Sequence, residues 1–568
     1  MRDPTSPTLD EALAALTAPG ARFEMELVDV RGVPTRVFKH RLRSLRELAQ
    51  VAVDRRGDAE LLVHGDLRLT YRDFFRLTSS VCAVLRDEHG LRPGDRVAIL
   101  SANNPQWCVT FWGVINAGAI AVALNGWWKT DEILFGLDHS SSRFLVADRP
   151  RFARIRDQLT HLRTLEAIFV VDPDPDDLAI DPRVRDATEL ERAPSDELPS
   201  EPIGEDDPAV ILYTSGTTGR PKGAVGTHRS WLASVHNISG VSAVLALTDP
   251  TDRPPATGPE VRLLSVPLFH VSGVQAHLVA GLLAGWKLVM PTGRFDPVET
   301  MRLIESERVT AWSAVPTMVS RVCQHPDRHR FDLSSVRSVG FGGAPVPAGL
   351  VDAVRSTFPN VTYQSNLYGL TETSGVVTFN GGRSMLERPR SVGRPMLTVD
   401  VEIRDEQDHP VPPGTEGEIH IRGPQLIAGY WNQPQATAEA IVDGWLRTGD
   451  VGFLDEEGFL HITDRAKDLI IRGGENISSV EIEDRLLAHP DVLEAAVVGV
   501  PDADLGEAVH AVVQVRPGAE LTVGALQRWV GETLADFKVP ATIEISSEPL
   551  PRTETGKVRK TLLRDRAR

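Results

Sequence analysis

Cysteine is nearly missing from the 568 residues: Cys82, Cys108 and Cys323 stand far apart, which argues against a disulfide framework and against a clustered cysteine metal site. They read as reduced structural thiols. Lysine is scarce beside arginine, so each lysine is a marked position, and Lys222, Lys467 and Lys557 recur below. Basic charge is short overall: a formal net charge of -17 argues against nucleic acid or an anionic membrane as the main partner, since both need a basic face. The leading MRDPTSPTLDEALAAL carries acidic residues and no apolar h-region, so it does not read as a signal peptide and the cytoplasm is the expected location. Long uninterrupted apolar runs are also missing. The stretch Trp107 to Trp128 has spanning length, but Asn116, Gly118 and Asn125 interrupt it; the pattern predicts helix, glycine turn and strand, with no transmembrane segment.

What is present is an ordinary globular composition, 41% hydrophobic and 24% charged, in a chain too long for one core. From about Leu69 apolar strands alternate with amphipathic helices: Arg96 to Leu100, Phe144 to Ala147, Ala209 to Tyr213, Arg262 to Phe269, a helix near Gly273 to Ala284, then Lys287 to Met290 and Val336 to Gly343. This order predicts an α/β fold with a largely parallel sheet. Pro- and Asp-rich stretches at Asp172 to Pro208 and Thr248 to Pro259 read as surface loops. After Val399, short strands with Gly and Pro turns predict a small β unit ending near Thr463. The last hundred or so residues predict an α+β domain, with a helix from Val480 to Ala488 opened by Ser478 and Glu481 at capping-box spacing and strands at Ala495 to Gly499 and His510 to Val515.

The strongest chemical signal is Tyr213-Thr214-Ser215-Gly216-Thr217-Thr218-Gly219-Arg-Pro221-Lys222-Gly223, directly after a predicted strand. Glycines let the backbone approach an anion, hydroxyls and amides donate to phosphate oxygens, and the lysine adds charge. It is a polyphosphate cradle but not a Walker A loop, because Pro221 and Gly223 stand where that motif needs glycine and Ser or Thr.

The full string resembles the signature of the adenylate-forming, AMP-binding superfamily, acyl-CoA synthetase type, and further segments follow in that family's order from about Leu48 to Lys560. Gly342-Gly343-Ala344-Pro345 is similar to the adenine-side loop; Tyr368-Gly369-Leu-Thr371-Glu372-Thr373 is similar to the second nucleotide motif; Gly449-Asp450 resembles the ribose motif; Asp464-Arg465-Ala-Lys467-Asp468 resembles the domain junction; Thr555-Gly556-Lys557 resembles the final motif. The resemblance implies a large N-terminal domain, residues 1–463, with two α/β subdomains and a small β-barrel-like unit, and a small mobile α+β C-terminal domain, residues 464–568, hinged near 464–468 at Lys467.

The resemblance further implies an ATP-dependent acid:coenzyme A ligase using magnesium, with Lys557, Lys222, Glu372 and Thr217 catalytic. Thr214, Ser215, Gly216, Thr218, Gly219, Gly343, Ala344, Pro345, Tyr368, Gly369, Thr371, Thr373, Asp450 and Arg465 would bind the nucleotide. Tyr368 offers a π face, Thr371 and Thr373 offer hydroxyls to phosphate, and Glu372 with Thr217 are oxygen ligands suited to Mg2+. Gly473, Gly474 and Glu475 would border the pantetheine tunnel. His270, Ser272, Gly273, Val315, Gly342, Ser374 and Gly375 would form the acyl site, with His270 positioning rather than acting as general base. HVSGVQAH lacks the aspartate that amino-acid-activating relatives carry, which points to a hydrophobic acid: fatty, aryl or bulky polycyclic. The leading segment before Leu48 is a candidate lid or oligomer contact, with a homodimer as the simplest oligomer.

Three other readings stand beside this one: an adenylate synthetase that loads a separate carrier protein, a P-loop ATPase, which Pro221 and Gly223 disfavour, and a catalytically silent binding relative, which the intact motifs disfavour. No G-x-S-x-G elbow occurs and VGFGGAP breaks G-x-G-x-x-G. His325 and His329 have helical metal-ligand spacing but no third ligand nearby. The tandem Trp127-Trp128 has no account in sequence terms.

Overall fold

A computed structural model describes residues 7–214, 220–248, 258–347, 349–465, 468–472, 475–502, 505–552 and 557–567, with the side chains of 465, 475 and 476 excepted. Apolar strands buried on both faces build two large, mostly parallel sheets, as the alternation predicts. One has eight strands in the order Gly429–Tyr430, Lys222–Thr227, Pro208–Thr214, Ile120–Ala123, Arg96–Leu100, Phe144–Asp148, Ala167–Val171, Val184–Asp186. The other has nine, with Ser338–Gly342 and Tyr363–Leu370 parallel near one edge and Gly375–Gly381 antiparallel beyond them. Between them lies the helix Pro105–Asn116, whose Trp107, Phe111 and Trp112 are almost wholly buried. Asn104 caps it by accepting from the Trp107 amide, Pro105 occupies its first turn, and Gly118 at φ 73° turns the chain into Ile120–Ala123.

The tandem tryptophans have two different settings. Trp128 packs edge-on against Tyr213 at 5.3 Å, under the start of the phosphate-loop motif. Trp127 is partly buried between two guanidiniums, Arg151 at 5.4 Å and Arg294 at 4.7 Å from its ring.

Several expectations change. The strand predicted for Arg262 to Phe269 stops at Leu263; Leu264 N still bonds Val289 O, and further on Asn103 donates to Val266 O and accepts from Leu268 N. The Asp172 to Pro208 stretch is not all loop: Val184–Asp186 extends the sheet and Val184 and Leu190 are buried. Most of Thr248 to Pro259 lies outside the described residues. His325 spends Nδ1 on the Asp327 amide at the start of a short 3-10 turn, and among the described residues no group of three metal-ligating side chains occurs.

The small β unit is a five-stranded antiparallel sheet built from Asp400–Arg404, Gly417–Arg422, Ile441–Val442, Trp445–Leu454 and Leu460–Arg465. Beyond it a second five-stranded sheet, Ile470–Arg472, Glu475–Ile477, Val492–Asp502, Gly506–Val515 and Thr542–Ser546, has its own apolar core around Ile482, Val497, Val513 and Leu526. The capping box expected at Ser478 and Glu481 does not form. The Ser478 hydroxyl donates to Thr463 O, Glu481 pairs with Lys538, and the helix Ser479–Leu487 is capped by Asp464, which accepts from the Ser479 amide at 2.7 Å. Burial of an apolar residue pattern does not say which neighbouring carboxylate will reach a helix end.

The leading segment folds onto the large domain: helix Leu9–Thr17 lies against His228–Thr248, and the hairpin Met25–Val30/Val33–Phe38 is joined to the β unit by an Arg36–Asp400 ion pair. His228–Thr248 is long and apolar enough to cross a membrane by length and composition alone. Trp231, Val235 and Asn237 of this helix are buried, and Asn237 donates to Thr398 and Gln425, which is the setting of a core helix.

Candidate active site

Parallel strands leave their carboxyl ends together, and the motif residues gather there. Pro208–Thr214 and Lys222–Thr227 pair antiparallel with Thr214 opposite Lys222, so the two ends of the phosphate-loop motif are joined; Ser215, Gly216, Thr217, Thr218 and Gly219 lie outside the described residues. Tyr213 anchors the near end, donating to Gly136 O at 3.1 Å beside His139.

Glu372 follows the strand Tyr363–Leu370. Its carboxylate Oε1 accepts the Tyr430 hydroxyl at 2.9 Å, and the ring of Tyr430 lies under the Lys222 ammonium, Nζ to centroid 4.9 Å. Burial lifts the Glu372 carboxyl above its ordinary range, with the Tyr430 hydroxyl and Lys222 working against that rise. Tyr430 was not singled out from the sequence. Its signal was available in Gly429-Tyr430-Trp431 of a chain with only five tyrosines, three of which, Tyr213, Tyr368 and Tyr430, stand at this site. The segment holding Tyr430 is strung between both motifs: Ile427 N donates to Glu372 O, Ala428 N to Val225 O and Trp431 N to Gly223 O.

Tyr368 donates to Asp450 Oδ2 at 2.7 Å, which joins the second nucleotide motif and the ribose motif in one buried pair. Asp450 lies on Trp445–Leu454, register-paired with Arg465 on the next strand. The buried hydroxyl of Thr373 accepts from Leu370 N and shares its one proton between Leu370 O and Gly375 O, so it caps its own turn.

The expected acyl residues divide into two layers. In the front layer is Gly342, beside Gly343 of the expected nucleotide set: a β-carbon at Gly343 would sit in ordinary contact, 3.7 Å from Val315 Cγ1 and 3.9 Å from Lys557 Cε. His270 faces the same lysine electrostatically, and burial, then Lys557, hold its imidazole down at about 4, so it is neutral and a weak base at physiological pH. Its Nδ1 lies 3.1 Å from the Ser272 hydroxyl and caps the short helix Val271–Gly273. In the back layer, Ser374 pairs with the Ser230 hydroxyl at 2.9 Å, a β-carbon at Gly375 would strike Ser234 and Gln275, and one at Gly273 would strike Pro267 O. These three shape the wall by close packing.

Lys557 comes from the far end of the chain. The segment around it is closed at its base, where Arg559 N donates to Pro551 O at 2.8 Å, Arg552 and Val558 bridge, and Arg552 pairs with Glu494 at 2.7 Å. Lys467, Gly473 and Gly474 lie outside the described residues, as do the side chains of Arg465 and Glu475. Chemically, the site offers an aromatic-carboxylate pair for a nucleoside, a carboxylate and two lysines for a phosphate chain, and a neutral imidazole facing one of those lysines.

Residues 49–431 match the AMP-binding enzyme family and residues 481–557 match the AMP-binding enzyme C-terminal domain. A feruloyl-CoA synthase of Amycolatopsis sp is 37% identical over 89% of this chain and 95% of its own length. The long-chain-fatty-acid–CoA ligase FadD13 of Mycobacterium tuberculosis is 35% identical over 88% of this chain and 93% of its own. Among solved structures, the amide bond synthetase McbA of Marinactinospora thermotolerans superposes with a TM-score of 0.78 at 31% identity, covering 92% of this chain and 99% of that one.

Proposed function

The chain belongs to the AMP-binding enzyme family, and from that premise we propose that it is an AMP-forming acid:coenzyme A ligase acting on a hydrophobic carboxylic acid. The observation that carries the reading is the meeting of Lys557, from the last motif, with Gly343 and His270 of the large domain.

A carboxylate has a poor leaving group and must be activated. In the first step its oxygen attacks the α-phosphorus of ATP while the bond to the β-phosphate oxygen breaks and pyrophosphate leaves. Lys557 stands where carboxylate and α-phosphate would meet, and a compact ammonium between two anions lowers that barrier. Lys222 and Glu372 belong at the phosphate chain, Tyr368 and Asp450 at the nucleoside, and His270 with Val315 and Gly342 at the carboxylate end of the acyl site. In the second step the thiol sulfur attacks the acyl carbon and AMP departs, with Lys467 as the hinge and Gly473, Gly474 and Glu475 beside the thiol arm.

Glu372 fits magnesium as a single hard ligand: Tyr430 takes only Oε1, and Mg2+ commonly takes one or two carboxylates with substrate phosphates for the rest. Bound there, the ion would neutralise charge on the departing pyrophosphate. Thr217 belongs to the same proposal. The cytoplasm is the compartment where ATP and free thiol are both supplied. Fatty and hydroxycinnamic acids lead the acid classes, because the relatives include FadD13 and a feruloyl-CoA synthase.

The test is coenzyme A-dependent AMP release over a panel of fatty, aryl and polycyclic acids, beside acid-dependent pyrophosphate exchange. Activity in both is the expected result. Exchange without coenzyme A turnover moves the function to carrier loading or to an amine acceptor, as in the amide synthetase; silence in both overturns it.

A further inference from the structure

Outside the site, one cluster of charged and polar groups has no part in the chemistry above. Lys560, the first residue of the terminal helix Lys560–Arg566, sends Nζ to Ser479 Oγ at 2.7 Å and to Glu483 Oε1 at 2.7 Å. Ser479 in turn donates from its amide and its hydroxyl to Asp464 Oδ2, at 2.7 and 2.9 Å. Glu483 also accepts from Val497 N at 2.8 Å, and burial lifts its carboxyl above the ordinary range against the pull of Lys560. One turn further along the same helix, Arg564 approaches Asp468 at 3.6 Å. The helix therefore grips both ends of the 464–468 junction, through Ser479 at Asp464 and directly at Asp468.

The cluster joins two parts of the site. Asp464 lies on the strand whose register places Val451 opposite Asp464 and Asp450 opposite Arg465, so it is fixed relative to the ribose-side carboxylate. Lys560 follows Lys557 by three residues, just beyond the closed base of its loop. The placement of Lys557 is thus measured from Asp450 through a ladder, a buried carboxylate, a serine and a lysine. We propose that Ser479 and Lys560 are positioning residues for the first half-reaction: with Asp464 they hold the Lys557 loop at the large-domain site, and they must let go for the thiol step. This rests on the ligase reading above.

The experiment compares wild type, Ser479→Ala, Ser479→Thr and the pair Glu483→Gln/Lys560→Met, which avoids leaving Glu483 buried and unpaired. Each is assayed for acid-dependent pyrophosphate exchange, for coenzyme A acylation from synthetic acyl-AMP, and for its melting temperature. Misplacing the lysine by about 1 Å should slow exchange about 10- to 100-fold in Ser479→Ala and in the pair, with acylation from acyl-AMP unchanged or faster, and Ser479→Thr should recover most of the loss. Exchange at the wild-type rate overturns the proposal, and so does an equal loss in both half-reactions with a lowered melting temperature. A wild type silent in both assays instead overturns the ligase reading beneath it.

Discussion

On the large-domain side of the site, Tyr368 is bonded to Asp450, Glu372 to Tyr430 and Tyr430 stacks under Lys222, all on strands or turns whose backbone is itself paired. On the small-domain side, Lys557 is flanked by two ion pairs, Arg552–Glu494 before it and Lys560–Glu483 after it. On the proposed reading, the groups that hold the nucleotide throughout are built into sheet ends, where a hydrogen-bond ladder fixes them. On the same reading, the group needed for one step comes from the other side of the 464–468 junction, where a hinge would let it leave. Preorganisation suits the first and would defeat the second.

Four measurements break or sharpen that contrast. The largest effect is expected from Lys557→Ala: pyrophosphate exchange should fall about 100- to 1,000-fold while acylation of coenzyme A from synthetic acyl-AMP survives. Equal losses in the two assays would mean that the lysine serves both steps and that the contrast is false. Asp450→Asn, on the fixed side, should weaken both half-reactions together by about 10- to 100-fold, the worth of hydrogen bonds to a charged group, and a loss confined to exchange would contradict its placement. Tyr430→Phe keeps the ring under Lys222 and removes the donor to Glu372; about a fivefold to tenfold loss in exchange, with the melting temperature held, is the result that supports a positioning hydroxyl. An unchanged rate would reduce Tyr430 to packing.

The smallest effect near neutrality concerns acid stability. Burial depresses His228 to about 3 and His236, His270 and His277 to about 4, all in the large domain, below the ordinary 6.5. The unfolded chain therefore binds more protons between those values, so their contribution to stability is full above pH 6.5 and is lost as pH falls toward 4. Urea unfolding at pH 7 and pH 5, followed by tryptophan emission, should show a lower midpoint at pH 5; the tryptophans other than Trp529 lie before residue 464 and report that domain. A midpoint that does not move would mean these histidines are protonated in the folded protein.

Legibility followed the physics of each feature. The strands Arg96–Leu100 and Lys287–Met290 and the helix-turn-strand from Pro105 to Ala123 were readable because apolar periodicity and turn residues are local. The strand beginning at Arg262 was overextended: Val266 and Leu268 bond Asn103, remote in sequence, instead of a neighbouring strand. Ser478 and Glu481 had the spacing of a capping box, yet Asp464 outcompetes them from the strand Leu460–Arg465. A motif specifies residue type at Thr373, whereas the carbonyls its hydroxyl bonds, Leu370 O and Gly375 O, are set by the turn's geometry.

By itself the sequence determined the α/β alternation, the β unit after Val399, and the order of motifs that assigns the chain to its family, since these depend on residue type and spacing along one dimension. Only the tertiary structure decided that Tyr430 holds Glu372 and Lys222, that Ser374 pairs with Ser230, and that Lys560 reaches the junction through Ser479. Those are contacts between segments up to hundreds of residues apart, and side-chain partners at that range are selected by packing and geometry, which no local pattern records.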